Sequence, residues 1–328
     1  MLIDNELQEL AKEVLPEWSL ENAQLTHVKS SENVTFRVEK NGQTYVLRIH
    51  RSWYHTRDEL ESELVWTKAL RASGIDVPEP LLTNSGEGFV TRPLPGTDEM
   101  RNIGVLKWVE GDNLADVLRR DSSDLETVSS YFERLGAIAA SMHSQAAAWD
   151  VPDAFTRHSF DVEGFVGKRP FWGRFWELPQ LKPEQTKLML KARDVIATTL
   201  ASYRKPKETY SMIHGDLHMQ NLIVGEQGLH VIDFDDAGFG WHQYDLATAL
   251  HEYSGHKEYS AIVSALLKGY RNHRALDAEA EASLPMFLLI RTLVGLGWIH
   301  QRPELGREQH IPSKIEKACH HIEQFFSD

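Results

Sequence analysis

The stretch Met212–Gly240, MIHGDLHMQNLIVGEQGLHVIDFDDAGFG, holds three His, four Asp and one Asn among short apolar runs. NLIV and LHVIDF read as two strands joined by GEQG, Gly225 to Gly228. Closing that hairpin at Val224 and Leu229 sets Asn221 across from Ile232, beside Asp233, with Asp216 a few residues upstream on the incoming loop. Carboxylates and an amide gathered at the open end of a hairpin need something to bind. Asn and Asp oxygens with room for water and substrate phosphate suit Mg²⁺, which rarely takes a full protein cage. Asp216 is then left to orient or deprotonate a hydroxyl. Such parts answer the demands of phosphoryl transfer, where positioning and charge neutralisation do most of the work. His214 and His218 are four apart, but Gly215 disfavours a helix and no Glu follows the first His, so a zinc pair is not expected.

The rest of the chain supplies a context for that stretch. THVKSSENVTFRVEKNGQTYVLRIH alternates apolar and polar residues around Asn41-Gly42, a signal for a two-residue hairpin turn. If Lys40 and Gln43 close the turn, Thr35 faces Arg48 and Phe36 faces Leu47. A charged helix from about Arg57 to Ser73 ends at Gly74, VPEPLLTNSGEGFVTRPL reads as loop and strand, and IGVLKWVEGDNL as a strand turning at Gly111. Long helices follow: LETVSSYFERLGAIAASMHSQAAAW, 182–203, 257–271 and 280–300. The pattern predicts an α+β chain, with a small lobe at residues 1–106, a crossing at 107–111 and a larger, mainly helical lobe at 112–328. The segment 155–180, rich in Phe, Trp, Gly and Pro, is read as packed loop, with a substrate lid as the alternative.

HGDLHMQN has the His-x-Asp-x-x-x-x-Asn spacing of the kinase catalytic loop, and IDFDD stands where the kinase metal-binding Asp would be. With Gly in place of the Arg usual in eukaryotic protein kinases, and VIDFDDAGFGWHQYDLATAL after it, the chain resembles the superfamily of aminoglycoside phosphotransferases, choline kinases and type II homoserine kinases. The resemblance implies a two-lobed, protein-kinase-like fold with an antiparallel sheet in the small lobe. It implies that Asp216 is the catalytic base or hydroxyl-orienting group, that His214 holds the loop in shape, and that Asn221 and Asp233 bind Mg²⁺ with Asp235 assisting. Asp245 of YDLA looks like the family's structural Asp. Ser30, Ser31 and Asn33 stand in the place of a phosphate-covering loop, although the glycines of G-x-G-x-x-G are absent. Arg48 occupies the place of the phosphate-binding Lys, and its planar fork suits phosphate oxygens. Glu63 is its expected partner, with Glu59 and Glu61 as alternatives, and backbone groups of Lys107 and Val109 are expected at the adenine of ATP.

Some prominent residues take plainer readings. His143 is expected in the core, and Trp298 in helix packing, while Arg291 is expected to approach the substrate side. The lone Cys319 permits no intrachain disulfide and suits a reducing cytoplasm. A formal net charge of −13 opposes nucleic-acid and anionic-membrane partners. Residues 1–15 lack a signal peptide's basic start and apolar block, and no apolar run is long enough to span a bilayer. The expected activity is transfer of the ATP γ-phosphate to a hydroxyl of a small molecule: an amino alcohol, a homoserine-like amino acid, a sugar or an aminoglycoside. A protein Ser/Thr kinase on the same fold and a non-catalytic nucleotide-binding module are the rival readings.

Overall fold

The computed structural model describes residues 5–30, 33–120, 124–226 and 228–327. The chain divides into two compact units. The first comprises Met1–Asp112, Val151–Thr156 and Ile223–Asp235, and the second Asn113–Asp150, Arg157–Leu222 and Asp236–Asp328. The hairpin carrying Asp233 thus groups with the N-terminal residues, although it follows them by more than a hundred positions in sequence.

In the first unit, helix α1 (Asn5–Val14) precedes strands β1 (Gln24–Ser30), β2 (Val34–Lys40) and β3 (Gln43–Ile49). Helix α2 (Arg57–Ala72) leads to β4 (Pro80–Leu81), β5 (Phe89–Pro93) and β6 (Met100–Lys107). These six strands form one antiparallel sheet in which β3 lies between β2 and β6, and both β4 and β5 pair with β6. The β2–β3 register follows the turn: Lys40 pairs with Gln43, Phe36 with Leu47 and Thr35 with Arg48. Asn41 and Gly42 take φ of 52° and 76°, the left-handed pair that a type I′ turn requires and that matches the strand twist. Alternation then sends Phe36, Val38, Leu47 and Ile49 into a core shared with Leu10, Ala11 and Val14 of α1. Each such aliphatic side chain contributes roughly 1.5–3 kcal/mol by leaving water.

Helix α2 starts on a capping box. The Glu59 amide donates to Thr56 Oγ1 at 3.2 Å, and the Thr56 amide donates to Glu59 Oε2 at 2.8 Å. It ends where the Ile75 amide reaches back to the Leu70 carbonyl across Gly74.

The second unit is mainly helical. Helices α3 (Leu114–Arg120), α4 (Leu125–Ala148), α5 (Val162–Val166), α6 (Pro183–Ser202), α7 (His242–Leu250), α8 (Tyr259–Arg271), α9 (Ala278–Ala282), α10 (Leu284–His300) and α11 (Ile311–Ser327) follow in order. A three-stranded sheet sets Gly238–Trp241 between Ser159–Phe160, which is parallel to it, and Tyr210–Ile213, which is antiparallel. The helix expected over 280–300 is two helices meeting at Ser283. Pro285 explains the break, because proline cannot donate to the preceding turn and its ring crowds the carbonyl four residues back. The segment 155–180 is packed: Phe160, Phe165, Trp172, Phe175 and Trp176 are all buried. Among the described residues no helix is long and apolar enough to cross a membrane.

Candidate active site

The expected site residues fall in both units, and each group has its own local chemistry. In the first unit, Arg48 on β3 is buried and directs one guanidinium nitrogen to Asp233 Oδ1 at 2.8 Å. Its other terminal nitrogen lies 3.8 Å from Glu63 Oε1 on α2. The neighbouring acids are engaged elsewhere: Glu59 in the capping box and Glu61 with Arg57 at 2.8 Å. Burial works to lower the Arg48 pKa, but the charges of Asp233, Glu63 and Asp235 outweigh it and raise it.

Asp233 closes this cluster with φ of 68°, a left-handed conformation that Asp tolerates better than most residues. It follows the hairpin formed by Leu222–Gly225 and Gly228–Val231, which are neighbours in a sheet. Asp235, two residues on, is buried with its Oδ1 3.5 Å from His50 Nδ1. Burial acts to raise its carboxyl, yet His50, His55 and Arg48 together hold it well below the usual carboxylate range. His50 itself is pushed down by burial, so it is neutral near pH 7.

The remaining expected nucleotide residues are also in this unit. Ser30 ends β1, with its hydroxyl 2.9 Å from His27 Nε2. Asn33 is buried just before β2, and Ser31 lies outside the described residues. Lys107 ends β6, and its amide donates to the Glu79 carbonyl at 2.8 Å, so that N–H is committed within the unit. Val109 is half-buried two residues beyond.

In the second unit the catalytic-loop motif is bound to its own surroundings. The amides of His214 and Gly215 donate to the two oxygens of Asp245, at 2.9 and 2.8 Å. Asp245 lies in the first turn of α7 and is fully buried, as is His143, whose Nε2 stands 3.1 Å away. Burial raises the Asp245 carboxyl to about 6 and lowers His143 to about 3. Gly215 sits at φ of +77°, and a Cβ there would fall 2.6 Å from the Asp236 carbonyl. A side chain is therefore excluded on both counts, which explains the Gly in HGD.

The Asp216 carboxylate is closely bound. Its Oδ2 meets His218 Nε2 at 3.0 Å and Asn221 Nδ2 at 3.1 Å, and its Oδ1 meets Nη2 of Arg291 on α10. The Gln220 amide donates to His218 Nδ1 at 3.1 Å, so the ring proton is on Nε2 and points at Asp216. Asn221 Nδ2 also donates to the Asp216 carbonyl at 2.9 Å. Two acceptors on that side fix the amide orientation and turn Oδ1 of Asn221 away, with no hydrogen bond from a described residue. Burial acts to raise the Asp216 carboxyl, but His218, Arg291 and His214 bring it well below the usual range.

Of the residues that touch the motif from afar, the sequence names His143 and Arg291 and passes over His50 and Tyr244. His143 belongs to the core as expected, but it also holds Asp245, 102 positions away. Arg291 was expected near the substrate side without a partner, and Asp216 is that partner, 75 positions away. His50 and Tyr244 stand beside motif residues in sequence, in LRIH and YDLA, and that adjacency is the available signal.

Comparison with known proteins adds to this geometry. A family model described as the phosphotransferase enzyme family matches residues 25–281. The amicoumacin kinase of Bacillus subtilis (strain 168) is 25% identical over 309 residues, which is 91% of this chain and 86% of that protein. A homoserine kinase of Rhizobium meliloti (strain 1021) is 27% identical over 264 residues, covering 78% and 72%. Among solved structures, a microcompartment-associated aminopropanol kinase superposes with a TM-score of 0.80 at 32% identity, covering 96% of this chain and 94% of that one. An amicoumacin kinase complexed with AMP-PNP and Ca²⁺ also has a TM-score of 0.80, at 22% identity, and shares the fold over 97% of this chain and 93% of that one.

Proposed function

The chain belongs to the phosphotransferase enzyme family, and on that premise we propose that it is a kinase moving the γ-phosphate of ATP to a hydroxyl of a small molecule. The observation that carries this reading is the Asp216 carboxylate, ionised and fixed by Arg291, His218 and Asn221 within an His-x-Asp-x-x-x-x-Asn loop. A carboxylate so held accepts the hydrogen bond of an alcohol in one geometry, and phosphoryl transfer depends on such alignment.

The first unit takes the nucleotide. Arg48 offers a planar, permanently charged fork to phosphate oxygens, and Glu63 keeps it extended from β3. Ser30, Ser31 and Asn33 lend donors to the phosphates, while backbone groups of Lys107 and Val109 meet the adenine. His214 and Gly215, tied to Asp245, keep the loop in the shape that presents Asp216.

The donor chemistry fits a hard divalent cation, for which we assign Mg²⁺. The Asn221 amide oxygen has no other hydrogen bond among the described residues, Asp233 keeps one carboxylate oxygen clear of Arg48, and Asp235 is ionised. When bound, such an ion neutralises charge on the phosphate oxygens. Asp233 and Asp235 are the ligands proposed in the first unit, and Asn221 the ligand proposed in the second.

Homoserine and aminopropanol, the named substrates of two relatives, each carry an amine and a hydroxyl. The proposed acceptor is a small amino-bearing alcohol of that kind. Incubating the protein with labelled ATP, Mg²⁺ and a panel of such alcohols tests this, with Asp216→Ala as the blank. Label is expected on a metabolite and absent from the blank; label on protein alone would overturn the acceptor class.

A further inference from the structure

We propose that Arg291 is a positioning residue that aims Oδ1 of Asp216 at the acceptor hydroxyl, an inference that rests on the kinase reading above. An ionised carboxylate has about four lone-pair sites. On Oδ2 both are taken, by His218 Nε2 and Asn221 Nδ2. On Oδ1, Arg291 Nη2 is the single partner among the described residues. The acceptor alcohol therefore has one vacant lone pair to use, on the oxygen that Arg291 holds. With both other contacts on Oδ2, the Asp216 side chain would pivot about that oxygen if Arg291 were gone, and Oδ1 would swing.

Arg291 is itself immobilised. It projects from the middle of α10, its guanidinium carbon stands 5.5 Å from the centre of the Trp172 ring, and the Tyr244 hydroxyl adjoins it. Tyr244 directly precedes Asp245 on α7, and α7 packs on α10. The backbone end of the loop, through Asp245, and its side-chain end, through Arg291, are thus referred to the same pair of helices. A guanidinium serving only to balance the Asp216 charge would need no such seating.

Arg291→Ala, Arg291→Lys and Asp216→Ala in the full chain test the assignment, with Mg²⁺-ATP and three acceptors: 1-amino-2-propanol, homoserine and water. Arg291→Ala should lower kcat on whichever acceptor is used by about 100-fold, the loss expected from misplacing a reacting group. The KM for ATP should hold, and added methylguanidinium should restore kcat to Arg291→Ala but not to Asp216→Ala. Unchanged kcat, a loss confined to the KM for ATP, or a loss in a folded variant that methylguanidinium does not restore would each overturn the role. If Arg291→Ala does not fold, Arg291→Lys decides alone. A lowered kcat at constant KM for ATP supports the proposal, and an unaltered kcat rejects it. Wild-type protein that transfers phosphate to none of the three acceptors would defeat the kinase reading itself, a result distinct from any difference among the variants.

Discussion

Each unit pairs an arginine with a motif aspartate, but the two pairs are balanced differently. In the first unit one guanidinium, Arg48, faces three carboxylates, Asp233, Glu63 and Asp235. In the second, one carboxylate, Asp216, is surrounded by donors from Arg291, His218 and Asn221. The side chain of Asp233 is 34% exposed against 19% for Asp216. A cluster with three carboxylates to one guanidinium and an open acid suits the recruitment of a further cation. A carboxylate already satisfied on three sides suits a fixed acceptor that need not reorganise during reaction. The same residue types are therefore suited to opposite ends in the two units, and the partners around each carboxylate make the difference.

The largest effect should come from breaking the second pair at its acid. Asp216→Ala should lower transfer by at least about 1,000-fold, within the range for a lost general base, while thermal stabilisation by ATP persists. Turnover and a melting shift on the same preparation check both halves. Next is the first pair. Asp233→Asn keeps a residue that tolerates φ of 68° but removes the charge. It should reduce turnover by roughly 100-fold, the scale of a lost electrostatic contact, and raise the Mg²⁺ concentration needed for half-maximal rate. An unaltered Mg²⁺ titration would remove the difference between the two arginine–aspartate pairs.

Two stability measurements probe the support of the Asp216 loop. Gly215→Ala should cost about 1–3 kcal/mol in urea unfolding, because φ of +77° and the contact with the Asp236 carbonyl both oppose a Cβ. His143 bears on pH. Burial lowers its pKa to about 3, so below the unfolded value near 6.5 the unfolded chain takes up a proton that the native state refuses. Its contribution is present above that value and is lost as pH falls from 6.5 towards 3. Asp245, raised to about 6, acts oppositely: the native state resists losing its proton, and stability falls as pH rises from the unfolded value towards 6. Replacing His143 by Asn should remove the acid-side loss and let the Asp245 slope emerge in unfolding curves between about pH 4 and 6.

The smallest effect belongs at the edge of the first unit. Lys107 and Glu79 form a 2.6 Å ion pair with half-exposed side chains, and Lys107→Ala should change stability by less than about 1 kcal/mol. ATP affinity should also hold, since only the backbone of Lys107 is proposed to meet the nucleotide.

Much of this arrangement was legible because it is local. Asn41-Gly42 determines the β2–β3 register through turn geometry, and that register alone sets Arg48 opposite Thr35. Gly74 stops α2 where expected, and the spacing of Asp216 from Asn221 carries their contact, five residues apart. Other features were not legible. The strand expected from Ile103 begins at Met100, because the partners that lengthen it lie on β5, with Pro93 facing Met100. The break at Ser283 depended on how strictly Pro285 ends a helix that hydrophobic periodicity would have continued.

By itself, the sequence settled which backbone segments could be strand, turn or loop, since periodicity, Asn-Gly and the spacing of HGDLHMQN act over a few residues. It also settled the family, through that ordered set of residues. Only tertiary structure decided that Arg291 holds Asp216, that His143 steadies Asp245, and that His50 lies against Asp235. Those pairings join positions 75, 102 and 185 apart, and their strength depends on burial, which raises both the reward of pairing a charge and the penalty of leaving one alone.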